Sequence, residues 1–278
     1  MNQDPYIIEN PPKQQPVSAI KTYAVTLKTT ITGVKKPVNS VINYTLEIDF
    51  NNHFFTLKKK NVLINNQKIN SKVNELYLKT AAPLNTLEIK CTEQGTIKEL
   101  YKHNDLLKHW QATKTIIEHE FKGDFVTQLL THLDEVYENK QYIVNQLNSN
   151  VVLETFYRSF LNDYLIYYGK NNISFTKNTV LNKVPIPFSG YQKLKLKDTQ
   201  LYLQTNVKLN KTIVNKEPIE NYFKDIVTDF SIDDLEITLK DQTLLDYEST
   251  WIKKSTVTKK VQLKNYRKEI ELILLHIK

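Results

Sequence analysis

From Lys21 the chain alternates apolar and polar residues with a period of two. Tyr23, Val25, Leu27 and Ile31 share one face, and Thr22, Ala24, Thr26, Lys28 and Thr30 share the other. Gly33 to Ser40, with Pro37 inside, supplies turn residues, after which Ile42, Tyr44, Leu46, Ile48 and Phe50 alternate with Asn43, Thr45, Glu47 and Asp49. Such a pair predicts an antiparallel hairpin with one buried and one wet face. Further strands are predicted at Phe54–Leu57, Val62–Ile64 and Asn74–Lys79, then across Leu87, Ile89 and Cys91.

The period then lengthens. One helix is predicted from Asn104 or Asp105 to Lys122, with Gly123 as its left-handed stop. A second runs from Asp124 to Asn148, its stripe of Val126, Leu130, Leu133, Tyr137, Val144 and Leu147 interrupted at Lys140. A third runs from Val151 to Tyr168, apolar over most of its circumference. Strands return after Asn171, beyond an extended, linker-like Val184-Pro185-Ile186-Pro187. Leu194 and Leu196, then Leu201, Leu203, Val207 and Leu209, alternate with polar neighbours, as do Leu235, Ile237 and Leu239. Pro218 is placed to start a short helix reaching Phe230. The last strands cover Thr243–Val261 and Glu269–His276.

Strands segregated from helices define an α+β class. The expected architecture is a predominantly antiparallel, curved sheet contributed by the N- and C-terminal parts, with a central three-helix segment packed against it. Residues 19–278 form one domain: β-rich over 20–98, helical over 104–168, and β-rich over 171–278 with a short helix near 218–230. Residues 1–18, with Pro5, Pro11, Pro12 and Pro16, read as an extended arm.

Composition narrows the chemistry. The 278 residues suffice for a sizeable core without disulfides or a structural metal. Net charge is +8, yet Arg158 and Arg267 are the only arginines. Lysine is a hydrated point charge rather than the bidentate fork that reads base edges, so nucleic acid is not the expected partner. The single Cys91 permits no internal disulfide, the first residues lack a secretory pattern, and no run approaches the ~18 apolar residues of a membrane span. These point to a cytoplasmic protein.

Glycine excludes more. Gly33, Gly95, Gly123, Gly169 and Gly190 are all isolated, so neither a phosphate-cradling loop nor a dinucleotide fingerprint can be drawn. His119-Glu120 begins a zinc-protease helix, but Gly123 stands where the second ligand belongs. Ser189 lacks the flanking glycines of a nucleophile elbow, and Cys91 lies at an apolar strand position. No cofactor, metal site or catalytic residue is expected. Glu47 with Asp49, and Glu269 with Glu271, project from single strand faces at roughly 6.5–7 Å, the range of an inverting glycosidase pair but also that of any solvated strand.

The positive signal is aromatic. Sixteen tyrosines include Tyr157, Tyr164, Tyr167 and Tyr168 on one helix, and Tyr167 and Tyr168 cannot face the same way. With Trp110 and Trp251 these are the candidate binding residues; the competing reading makes them core. The function expected is a non-enzymatic binding or assembly module using protein–protein contacts or self-association, an accessory or structural part of a larger bacterial or phage-like machine. Two alternatives stand beside it: a carboxylate-dependent glycan hydrolase, and a lysine-mediated binder of nucleic acid or another anionic surface.

Overall fold

The computed structural model describes residues 17–51, 54–67, 71–92, 96–160, 169–181 and 184–277, with backbone only at 157–160 and 178–179. The proline-rich arm, apart from Val17 and Ser18, lies outside them. Five strands come first: β1 (Ala19–Thr32), β2 (Val38–Asn51), β3 (Phe54–Ile64), β4 (Thr86–Cys91) and β5 (Ile97–Leu100), with helix α1 (Lys72–Ala81) between β3 and β4. Four helices follow: α2 (His103–Glu120), α3 (Asp124–Glu138), α4 (Lys140–Asn148) and α5 (Val151–Phe160). The remainder is β6 (Gly169–Leu181), β7 (Val184–Lys197), β8 (Gln200–Leu209), α6 (Lys216–Phe223), β9 (Glu236–Asp246), β10 (Ile252–Leu263) and β11 (Tyr266–His276).

All the described strands join one antiparallel sheet of eleven in the order β5-β4-β3-β2-β1-β11-β10-β9-β8-β7-β6. Two meanders, the N-terminal wing β1–β5 and the C-terminal wing β6–β11, meet where β1 pairs with β11 through Tyr23–His276, Val25–Leu274 and Leu27–Leu272. At the centre of the sheet, Gly33 (φ +74°) presses the β1–β2 turn onto the β10–β11 turn, leaving no room for a Cβ beside the Asn265 carbonyl.

The helices cover one face, here the inner face. Its larger core joins Tyr23, Ile48, Phe55 and Ile89 to Trp110, Ile117 and Leu130 of the helical layer and to Phe156 of α5. A second core, under α6, gathers Phe188, Val207, Ile237, Val261 and Tyr266 around Ile219 and Phe223. Burying apolar area of this extent on one face is the main favourable term in forming so wide a sheet.

Local departures from the sequence reading have local causes. Asn74–Lys79 is helical, within α1. Ser71 accepts the Asn74 amide as an N-cap, Glu75 faces Lys79 one turn on, and Leu76 is the buried contact. The helix expected over Asp124–Asn148 is two, because Asn139 leaves helical backbone and its side chain accepts from the Tyr142 amide to start α4. Gly123 (φ +115°) sits before α3, while α2 ends at Glu120 with Phe121 as its C-cap. Val184–Pro187 is the start of β7. Pro187 faces Thr176 where β6 slips register between Lys177 and Leu181, and its carbonyl accepts from the Asn210 amide. At that bulge the missing proline N–H groups leave few ladder bonds unmade. Finally, α6 is capped by Asn215, which puts Pro218 third, and it ends at Phe223.

Candidate functional site

Trp110 and Trp251 are core residues. Trp110 is buried, stacks on Tyr137 with centroids 4.5 Å apart, and donates its indole N–H to Asp134 at 2.8 Å. Lys114 closes on the same carboxylate at 2.6 Å, so the ring clamps α2 to α3. Trp251 packs edge-on against Phe50 and donates to the Val17 carbonyl at 2.8 Å, which ties down the chain ahead of β1. Both rings satisfy their polar edge internally and present no contact surface. The backbone of Tyr157 lies in α5, but its side chain, and Tyr164, Tyr167 and Tyr168 entirely, lie outside the described residues.

The carboxylates singled out along the strands are held by neighbours. Lys58 and Lys60 contact Glu47 at 3.1 and 2.9 Å, and hydrogen bonds from Lys60 and then Lys58 hold its pKa below the ordinary value. Burial of Glu269 opposes its charge, but Arg267 and Lys260 outweigh that and lower its pKa as well. Glu271 meets Lys28 at 2.9 Å. A general acid needs the opposite shift. Cys91 is buried, and among the described residues no cluster of His, Cys, Asp and Glu converges as metal ligands.

Sequence reasoning missed a belt of buried polar groups on the inner face of the C-terminal wing. Gln192, Thr205, Asp241, Thr243, Ser255 and Lys259 are all buried on β7 to β10. Thr243 donates to Asp241 and contacts the Ser255 hydroxyl, both at 2.7 Å. Above them α5 lowers Glu154, which takes Lys259 at 2.8 Å and is also in contact with Lys177 of β6. Burial, reinforced by the Lys259 charge, pulls the Lys177 ammonium pKa down to about 7. Lys268 of β11 is depressed for the same reasons and donates to the Val180 carbonyl at 3.3 Å. The signal was present in the sequence: these residues occupy the apolar parity, as in Ile237-x-Leu239-x-Asp241-x-Thr243-x-Leu245. Buried ion pairs return little net stability, so such a belt is a feature of specificity more than of strength.

The opposite face of the sheet carries no helix among the described residues, and its two halves differ. Around the N-terminal wing and the central β1, β10 and β11 strands most outward cations meet a carboxylate, Lys28 at Glu271, Lys58 and Lys60 at Glu47, Lys260 at Glu269 and Lys102 at Glu88, while Lys90 lies over the Phe54 ring. Over β6 to β10 the same face holds Lys170, Lys193, Lys195, Lys208, Lys240 and Lys254 at outward register positions. None of these six meets a carboxylate among the described residues. The outward acids of β6–β9 are Glu236 and Asp246, at opposite ends of β9, and Asp246 is engaged by Lys253 at 3.0 Å.

The two sheet edges differ as well. β5 is 4 residues long, and the Asn148 side chain accepts from the Ile97 amide at 2.7 Å and donates to its carbonyl at 3.1 Å, sealing that edge. β6 is 13 residues long, and no described residue pairs with its outer side. Two small concavities lie in the helical layer and its rim, about 280 Å³ between α2 and α3 and about 190 Å³ beside Leu87, Tyr101 and His109.

No protein-family model and no curated protein matches the chain. Among solved structures it is similar to one described as lipid–protein interactions in lipovitellin, with a TM-score of 0.51 and 9% identity. The alignment covers 96% of this chain but 26% of the lipovitellin chain, so this protein spans about a quarter of that relative's length. At that identity the likeness shows the fold alone. No helix among the described residues is long and apolar enough to cross a membrane.

Proposed function

We propose that the chain is a non-enzymatic binding or assembly module acting through protein–protein contacts, as an accessory or structural component of a larger assembly. The observation that carries this reading is the unequal treatment of the sheet edges. An edge strand offers a row of unmade N–H and C=O groups, and proteins blunt such rows unless they serve a partner. Here β5 is short and closed by Asn148, whereas β6 runs for 13 residues without a described cover. Its guards, the bulge after Lys177 and the inward turn of Lys177 itself, stand at one end and leave Gly169–Thr176 for pairing.

The test uses strand parity. Successive residues of an antiparallel edge strand alternate their N–H groups between the neighbour and solvent. Of Asn172→Pro and Ile173→Pro, one breaks the ladder to β7 and the other removes only an outward donor. The ladder-sparing variant is expected to keep its melting temperature within a few degrees while losing self-association, read by light scattering on a sizing column, or co-purification of its partner. A wild-type chain that stays strictly monomeric at high concentration and retains no partner overturns the reading.

A further inference from the structure

The uncovered face of the C-terminal wing makes a separate surface, and we infer that it docks on an anionic lipid surface. Two observations meet there. The first is the unneutralised charge of Lys170, Lys193, Lys195, Lys208, Lys240 and Lys254, all outward and none paired with a carboxylate among the described residues. The second is an aliphatic stripe lying among them. Along β11 and just past it, Leu275 is 47% and Ile277 48% exposed, with Ile20 of β1 at 62% beside them. Across the strands, the register Leu275–Lys254–Leu244–Tyr202–Lys195 sets Tyr202, 44% exposed, between lysines over roughly 19 Å of sheet.

Apolar side chains interleaved with lysines on one face suit the headgroup boundary of a bilayer. The aliphatic groups leave water, and the ammonium groups stay at the level of the phosphates. A nucleic-acid strand fits less well. Its affinity for such a platform comes from stacking on a row of free rings, but the Tyr191 ring is already covered by the Lys170 ammonium at 4.4 Å, which leaves Tyr202 as the exposed ring among the aliphatic Ile20, Leu275 and Ile277. A protein partner on the β6 edge leaves this face free, so the two contacts are compatible.

Co-sedimentation of the full chain with vesicles tests the inference. Wild type is expected to bind vesicles of phosphatidylcholine containing one-third phosphatidylglycerol, to ignore pure phosphatidylcholine, and to release as salt rises. Each lysine near an anionic surface is worth roughly fivefold in binding, so Lys193→Glu/Lys195→Glu/Lys240→Glu together should weaken it by about a hundredfold or more. Tyr202→Ser with Leu275→Ser should weaken it by roughly tenfold at unchanged charge. The triple Lys108→Glu/Lys122→Glu/Lys216→Glu, exposed positions on α2, between α2 and α3, and at the start of α6, makes the same change in net charge and should cost far less. The ladder-sparing β6 proline variant should bind vesicles as wild type does, which separates this surface from the edge contact. The inference is overturned by no binding to anionic vesicles at low salt, by equal losses in the two lysine triples, or by tighter binding to oligothymidylate than to the vesicles in the same buffer.

Discussion

The two wings of the sheet are built from the same alternating strands yet are finished differently. The N-terminal wing is the more closed of the two: its inner face is largely apolar, with the inward Lys59 laid over the Tyr44 ring, Lys28, Lys58 and Lys60 are paired outside, and its edge strand is sealed by Asn148. The C-terminal wing is left open at each of these levels. It buries charge beneath α5, leaves lysines unpaired outside, and ends in a long strand with no described cover. Features that cost stability and persist on one side only are where binding is to be sought; the other wing is scaffold.

Three perturbations sharpen or break that contrast. The largest effect is expected on the scaffold side. Trp110→Ala removes a fully buried ring, its stack on Tyr137 and its bond to Asp134, and should cost roughly 3–5 kcal/mol in denaturant unfolding while vesicle binding of the folded fraction is retained. Next comes the buried charge. Glu154→Ala strands Lys177 and Lys259 and should cost about 3 kcal/mol, whereas Glu154→Leu/Lys177→Met/Lys259→Met should recover most of that loss or exceed wild type. If the triple variant is less stable than Glu154→Ala alone, the belt is a source of strength and the contrast fails.

The smallest effect is a slope. Lys177 has a folded pKa of about 7 against an unfolded value of 10.5, so between those limits the unfolded chain binds more protons. Stability should therefore rise with pH from about 7 toward 10.5, by at most about 1.4 kcal/mol per unit from this group, and be penalised fully below 7. Lys177→Met should flatten that slope in melting curves taken across the window; an unchanged slope would mean that Lys177 keeps its proton in the fold.

Much of this architecture could be read from the chain because period-two patterning reports burial directly. The parity of Tyr23, Val25 and Leu27 against Ile42 to Phe50 is the parity found, and the segregation of strands from helices leads to one antiparallel sheet under a helical layer. What escaped were decisions made by single side chains. Ser71 turns a short ambiguous run into α1, and Asn139 divides a continuous stripe into α3 and α4. Neither capping role outweighs hydrophobic periodicity when a sequence is scanned by pattern. The aromatic residues drew attention because they are large, but size favours burial, as Trp110 and Trp251 show. The polar belt was hidden for the converse reason. Asp241 and Lys259 occupy apolar parity, and only the folded neighbourhood distinguishes a buried Asp or Lys from a slip in the pattern. The unpaired lysines also required the register, since ion pairing is a property of strand neighbours that lie far apart in sequence, 243 residues for Lys28 and Glu271.

The partnership of β1 with β11 imposes an order on biosynthesis. The ribosome delivers β1 well over 200 residues ahead of its second neighbour, β11. Until then the middle of the future sheet exists as two raw margins, one on each meander, each able to capture a foreign strand. Ten ladder positions, from Tyr23–His276 to Thr32–Arg267, close this seam only once β11 has been made. Nascent chains halted before Tyr266 should consequently be the form most dependent on chaperones.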